Sequence, residues 1–158
     1  MNKNRKPKVA IAILTAALSL SLLAEIIAPY KPSYMNENAI GLAPSFSHIF
    51  GTDNLGRDLF TLILYGGRAS LTIGIASAVI GTLIAAVYGT LSGMANKHVD
   101  NLLMKSTDLF MSIPNLLIVI VLQAIWGEVS YWSLSLIIGV TSWMQMSKVI
   151  RSEVIRLR

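Results

Sequence analysis

The sequence contains no cysteine among its 158 residues, and only 13% of the residues are charged. The first absence excludes disulfides and thiolate metal sites. The second argues against an ordinary soluble domain, in which about a quarter of the residues are charged. A net charge of +5 would suit a nucleic-acid partner, but the basic residues cluster beside hydrophobic runs, which is typical of membrane orientation signals.

The motifs of common enzyme sites are also absent. The sequence has neither the phosphate loop G-x-x-x-x-G-K-[ST] nor the zinc motif H-E-x-x-H. An intramembrane enzyme would need ionisable groups within the bilayer, and the apolar runs carry almost none. We therefore predict a chain that is not an enzyme and that binds no cofactor or metal itself. Glu25 is expected at the outer membrane interface rather than in a proton path, and His48 and His98 on opposite sides of the membrane.

Long uncharged stretches dominate what is present. A bilayer core of about 30 Å requires roughly 20 helical residues, and four stretches between charged residues approach or exceed that length. They predict an all-α integral membrane protein with about four transmembrane helices and amphipathic surface helices. The predicted spans are Val9–Ala28, Ala69–Ala95, Ile113–Trp126 (extended backwards by the apolar end of the preceding connector) and Tyr131–Ser147. A cleavable signal peptide competes for the first span, but Pro29 suits a cleavage site poorly, so an uncleaved anchor is favoured.

The segments between these spans predict the topology. Pro29–Phe50 contains three prolines and is expected to be irregular and exposed to water. Asn96–Ser112 has apolar and charged residues on opposite helical faces, so it is predicted to lie along the inner surface. With the N-terminus inside, ten of the thirteen Lys and Arg residues fall on the inner side. This asymmetry predicts that both ends of the chain are cytoplasmic.

The second predicted span carries small residues at successive fourth positions. Such rows allow helix backbones to approach closely in lipid, so this row is predicted to pack against another helix. The alternative is that Gly and Ala are simply frequent in membrane helices. Gln123 and Gln145, in the third and fourth spans, either line a polar passage or form hydrogen bonds between helices. The predicted packing row consists of Ser77, Gly81, Ala85, Gly89 and Gly93.

The densest pattern is His48–Thr72, HIFGTDNLGRDLFTLILYGGRASLT. Asp53 is a good helix N-cap, and Arg57 follows four residues later on the same helical face. The Gly66-Gly67 pair is expected to break that helix. These features predict a short amphipathic surface helix hinged onto the second span. A surface loop and helix of a soluble protein is the disfavoured alternative, because hydrophobic runs flank the segment.

This segment resembles the signature of one family, the C-type permease subunits of binding-protein-dependent ABC importers for dipeptides, oligopeptides and nickel. The resemblance implies the first part of a type I ABC importer permease (MetI-like) fold. Residues 1–66 would form an N-terminal membrane anchor with an extracytoplasmic segment and surface helix, and residues 67–158 a partial permease domain. The signature residues are Gly51, Thr52, Asp53, Gly56, Arg57, Asp58, Gly66 and Arg68.

The resemblance also implies a function and partners. The chain would form part of a peptide translocation path in the bacterial inner membrane, working by alternating access. A second permease subunit would complete the path, two cytoplasmic ATPase subunits would use ATP, and an extracytoplasmic binding protein would deliver substrate. Membrane lipid is the remaining partner, and nucleic acid is not expected. Docking of the binding protein near the signature is a hypothesis, and import of nickel or a metal chelate is the alternative.

The sequence departs from the family at its C-terminal end. Family members continue from a segment like Lys148–Val154 into a cytoplasmic coupling loop with an E-A-A-x-x-x-G motif, followed by two further spans. We therefore expect a C-terminally truncated subunit, about the first half, that cannot couple to ATP by itself. The alternatives left open are an inactive permease fragment, a small non-transporting membrane protein and a self-sufficient channel.

Overall fold

The structure is a computed structural model that describes residues 5–157, with side chains described from residue 8. Lys3 and Arg158, two of the ten basic residues predicted on the inner side of the membrane, lie outside the described residues. Within this range the chain forms six α-helices and one isolated antiparallel pairing, between Thr52 and Asp58. The helices are α1 (Arg5–Leu22), α2 (Ala24–Ile27), α3 (Leu59–Met94), α4 (Lys97–Met111), α5 (Asn115–Trp126) and α6 (Tyr131–Leu157).

The chain divides into two compact units, Met1–Leu71 and Thr72–Arg158, and the division falls within α3. The first unit contains α1, α2, the irregular segment 28–58 with a short 3₁₀ turn at Glu37–Ala39, and the start of α3. The second unit contains the rest of α3 and helices α4 to α6. The predicted boundary after residue 66 lies in the same helix.

Local sequence explains where the later helices begin and end. The side chain of Asn96 accepts a hydrogen bond from the N–H of Val99 and thereby caps α4. Pro114 precedes the first residue of α5, a place where its missing N–H has no helical partner. Gly127 ends α5 with a φ of 79°, a conformation that suits glycine. Ser130 and Ser133 exchange side-chain hydrogen bonds at the start of α6, as in a capping box.

Helix α3 corrects the predicted break at Gly66-Gly67. It runs without interruption for 36 residues, about 54 Å at 1.5 Å per residue. The expected short surface helix is therefore the first part of the long apolar helix rather than a separate element. Gly67 lies against a side chain of α1: a Cβ on Gly67 would lie 2.3 Å from the Ser21 hydroxyl oxygen.

Two of the other predicted spans also differ from the helices observed. The first is interrupted at Leu23, between α1 and α2. In the third, α5 has only 12 residues and lies at 78° to α4, so the connector does not extend it in a straight line. The fourth lies within α6, which continues to Leu157. The amphipathic connector is present as α4, and Pro29–Phe50 is irregular apart from its 3₁₀ turn, both as predicted. The irregular segment continues to residue 58, where a helix was expected.

Apolar side chains on these helices face outward. Ile75, Leu83 and Val87 of α3 are each about 60% exposed, and Leu116 and Ile125 of α5 are more exposed still. Among the described helices, α3 alone is long and apolar enough to cross a membrane, and the bent α4–α5 pair would supply a second crossing if it is one span. The structure supports a helical membrane protein, and the four-span topology stays a prediction.

Candidate functional site

The family signature begins with two glycines that meet backbone atoms. Gly51 and Gly56 have φ values of 75° and 69°, which favour glycine. A Cβ on Gly51 would lie 2.4 Å from the carbonyl oxygen of Leu42, and one on Gly56 would lie 2.0 Å from that of Asn36. Both positions therefore require glycine because of conformation and space. We call residues 51–58 the signature turn.

Thr52 anchors this turn to the segment before it. Its side chain is buried, and its hydroxyl donates a hydrogen bond to the carbonyl of Ala39. The same oxygen accepts a hydrogen bond of 2.9 Å from the N–H of Leu42. A backbone bond from the N–H of Thr52 to the carbonyl of Leu42 adds a third link. Thr52 thus provides hydrogen-bond partners for backbone groups of a segment that has no regular structure.

Asp53 closes the signature turn on itself. Its carboxylate accepts hydrogen bonds from the N–H groups of Leu55 and Arg57, at 2.9 and 2.8 Å, and pairs with the Arg57 guanidinium at 2.7 Å. The N–H of Arg57, followed by its side chain, holds the pKa of Asp53 below its ordinary value. The predicted Asp53–Arg57 pair is present, but it lies in a turn rather than on a helix.

Asp58, not Asp53, caps the following helix. It is 4% exposed, and its Oδ2 accepts a 2.8 Å hydrogen bond from the N–H of Thr61 in the first turn of α3. Its Oδ1 lies 3.0 Å from Nδ1 of His48. Burial alone would raise the pKa of Asp58, but the hydrogen bonds from Thr61 and His48 outweigh it and lower the pKa. The prediction that the helix starts after Asp53 was wrong.

The last signature residues lie on α3 beside the end of α1. Arg68 forms an ion pair with Glu25, and both side chains remain substantially exposed. Gly67 makes the close approach to Ser21 described above, whereas a Cβ on Gly66 would meet nothing within 4 Å. Glu25 thus has a cationic partner in the same unit. The described residues of this unit offer a polar, hydrogen-bonded scaffold.

In the second unit, the predicted packing row forms one buried stripe along α3, which we call the small-residue face. Its glycines lie against α6. A Cβ on Gly89 would lie 2.6 Å from the carbonyl oxygen of Ser147, and one on Gly93 would lie 2.8 Å from Val154. Gly139 of α6 makes the converse approach to Ile80 of α3. The five buried members are Ser77, Gly81, Ala85, Gly89 and Gly93.

A polar cluster at the end of this helix pair escaped the sequence analysis. Arg151 of α6 makes a bidentate ion pair with Asp100 of α4, and Ser92 of α3 donates a 2.6 Å hydrogen bond to the same carboxylate. The hydrogen bonds from Arg151 lower the pKa of Asp100 to about 2. Asp108 and Lys148 form a second, more exposed pair between α4 and α6. Sequence separations of about 40 to 50 residues left no local signal for these pairs.

The two predicted glutamines have different surroundings. Gln123 of α5 donates a 2.9 Å hydrogen bond to the carbonyl of Glu128, just beyond its own helix. Gln145 of α6 instead lines a cleft of about 290 Å³ beside the α4–α5 bend. No group of three or more potential metal-ligating side chains occurs among the described residues.

Residues 85–158 match the family described as binding-protein-dependent transport system inner membrane component. This part of the chain is similar to that inner membrane component. The matched residues include α4, α5, α6 and three members of the small-residue face, Ala85, Gly89 and Gly93. The family is a transport class rather than an enzyme class, and its description supports membrane localisation.

Similarity to named permeases extends over almost the whole chain, which confirms the resemblance found in the sequence. The chain is 35% identical over 156 residues to a putative peptide permease protein of Brucella abortus, covering 99% of this chain and 51% of the relative. It is 30% identical to the dipeptide transport system permease protein of Bacillus subtilis, an alignment that covers 100% of this chain and 49% of the relative. It is also 30% identical to the oligopeptide transport system permease protein of that organism, with 98% of this chain and 50% of the relative covered. The chain spans about half the length of these relatives.

Proposed function

We propose that this chain forms part of the membrane path of an ABC importer for dipeptides or oligopeptides. The observation that supports this most strongly is its similarity, over at least 98% of its length, to proteins named for peptide transport. Those names do not favour the nickel alternative. The absence of a metal-ligand cluster among the described residues adds no support for that alternative either.

The proposed topology has four spans with both ends in the cytoplasm. Helices α1 and α2 would form the first span, and α3 the second. Helix α4 would lie along the inner surface, and α5 and α6 would form a hairpin around Gly127. The asymmetry of Lys and Arg residues supports this orientation.

The proposed partners are a second permease subunit, two ATPase subunits that use ATP, and an extracytoplasmic binding protein. Under alternating access, ATPase closure would move the cytoplasmic ends of the permease helices. The cluster of Ser92, Asp100 and Arg151 holds α3, α4 and α6 together at one end, so movement there would be shared by three helices. The signature turn lies on the side where the binding protein would dock.

Uptake in membrane vesicles tests the function. The chain would be produced within a subunit of its relatives' full length, about twice that of the chain, together with the partner permease, ATPase subunits and binding protein. Uptake of labelled tripeptide would then be measured with and without ATP. ATP-dependent peptide uptake is the expected result. Uptake of Ni²⁺ without peptide uptake would overturn the proposed substrate, and failure of the chain to assemble with the partners would favour a non-transporting membrane protein.

Cysteine labelling tests the orientation, because the natural chain has no thiol. Ser45→Cys should react with an impermeant reagent applied outside intact cells. Lys97→Cys should react only after the membrane is permeabilised. The reverse pattern would refute the proposed topology.

A further inference from the structure

The cleft beside the α4–α5 bend presents an unusual set of side chains for a membrane helix pair. Its apolar walls include Phe110 and Ile118, and its polar groups come from Asn115, Thr141, Ser142 and Gln145. The volume of about 290 Å³ equals that of about ten water molecules at roughly 30 Å³ each. The cleft thus has room for more than a single ion or water molecule.

Two carboxamides in this cleft have unused hydrogen-bonding capacity. The hydroxyl of Thr141 already donates to the carbonyl of Ile137 within α6. The side chains of Asn115 and Gln145, by contrast, make no hydrogen bond with the part of the chain that the structure describes. Both side chains are exposed in the structure. In the proposed topology they face the membrane interior, where an amide without a partner would cost several kcal/mol, so there they would require water or a polar ligand.

The chemistry of the lining selects the kind of ligand. None of the side chains that line the cleft is ionisable, whereas cations such as Ni²⁺ prefer imidazole or carboxylate ligands. A carboxamide offers both an N–H donor and a carbonyl acceptor, which are the two groups of a peptide bond. The apolar walls can contact peptide side chains of different shapes, whereas the amides bind the backbone that all peptides share.

The position of the cleft is consistent with a passage. Gln145 lies 14 residues beyond the start of α6, about 21 Å along the helix axis. Arg151 follows after six more residues, about 9 Å. In the proposed orientation, the carboxamides are therefore in the inner half of the bilayer, past the midpoint of the path.

We propose that this cleft is a peptide-contacting station of the translocation path, in which Asn115 and Gln145 bind backbone amides of the passing peptide. The inference rests on the proposed peptide-import function and deepens it by assigning the groups that contact substrate. It also distinguishes Gln145 from Gln123, which lies outside this cleft. The side-chain nitrogen of Gln123 binds a backbone carbonyl, and its side-chain oxygen is buried without a partner among the described residues.

Protection of an introduced thiol tests the inference. In vesicles containing the complete transporter, the thiols of Gln145→Cys and Asn115→Cys should react with a small hydrophilic thiol reagent. Tripeptide supplied with ATP and binding protein should slow both reactions about fivefold or more, because a site that is occupied most of the time is shielded from the reagent. Val140→Cys, on the same helix but outside the cleft, and Gln123→Cys are the matched controls and should show no protection.

Transport kinetics supply a second measurement. Gln145→Leu should reduce the rate of tripeptide uptake about fivefold, the effect of losing one net hydrogen bond, and Gln145→Asn should restore part of it. Val140→Leu should transport at the wild-type rate.

The inference is wrong if the wild type takes up peptide but the thiols of Gln145→Cys and Asn115→Cys are both unreactive or unprotected. That result would leave the proposed function intact. If the wild type takes up no peptide, the proposed function is wrong, and the proposed peptide contact in this cleft is wrong as well. Protection at Gln123→Cys or Val140→Cys equal to that at Gln145→Cys would also contradict the inference, because it would indicate a general conformational effect.

Discussion

The signature turn and the small-residue face both depend on glycine, but for different physical reasons. In the turn, Gly51 and Gly56 adopt positive φ and touch carbonyl oxygens of an irregular segment. On the face, Gly81, Gly89 and Gly93 are helical and touch another helix. The first region is held by directed hydrogen bonds, and the second by close contact. A substitution should therefore act through backbone geometry in the turn and through helix separation on the face.

The largest effect is expected for Gly56→Ala. The added Cβ would lie 2.0 Å from the carbonyl oxygen of Asn36 at a φ of 69°, so strain and overlap together should cost roughly 3 kcal/mol. Thermal unfolding in detergent would measure it. Gly41→Ala is the matched control, because it shares a positive φ but meets nothing within 4 Å; its cost should be about 1–2 kcal/mol. Equal losses of stability in the two variants would show that the positive φ alone, and not the overlap with Asn36, sets the cost.

Gly89→Leu should produce the next largest effect. Its side chain would overlap the backbone of Ser147 in α6 and separate the helices, at a cost of about 2 kcal/mol. Gly74→Leu, on the open side of the same helix, should change stability by less than about 0.5 kcal/mol. Unfolding in detergent and assembly with the partner permease are the readouts. A similar loss at both positions would mean that the buried stripe does not specify packing.

Asp58→Ala should cost about 1 kcal/mol, because it removes the N-cap of α3, and Asp58→Asn should cost less. The folded pKa of Asp58 is lowered, so its carboxylate stabilises the fold above the unfolded pKa, and this stabilisation is lost as pH falls below about 4. Unfolding measured at pH 7 and pH 3 should show a smaller acid effect in Asp58→Ala. Some sensitivity should persist from Asp53 and Asp100. An unchanged acid effect would exclude Asp58 as a contributor.

Lys148→Gln should have the smallest effect, within about 0.5 kcal/mol. Its pair with Asp108 is largely exposed, with 39% and 61% of the side chains accessible. The same unfolding assay in low and high salt would test this. A loss above 1 kcal/mol that disappears in high salt would show that this pair stabilises the contact between α4 and α6 more than its exposure suggests.

The sequence predicted the helical class, the amphipathic α4 and the Asp53–Arg57 pair, because these depend on composition or on neighbours within four residues. It misplaced the N-cap, since Asp53 and Asp58 both suit that role. The positive φ of Gly56 and its contact with Asn36 exclude a helix between them. It also interpreted Gly66-Gly67 as a break. A helix tolerates glycine at a cost of about 1 kcal/mol per residue, and Ser21, which Gly67 contacts, is far away in the sequence. The Asp100–Arg151 pair is a contact of the same long-range kind.

The length of α3 has a consequence for hydrophobic mismatch. At the upper end of the usual tilt range, about 40°, a 30 Å core accommodates roughly 39 Å of helix, or about 26 residues. Helix α3 has 36 residues, so tilt cannot absorb them all, and about ten must stand outside the hydrocarbon. Counting back from Met94, these ten are Leu59–Arg68, and the set ends at the first charged residue within the helix. With Met94 at the opposite boundary, as the proposed topology implies, Arg68 would mark the membrane boundary on α3 and anchor the helix against sliding through bilayers of different thickness.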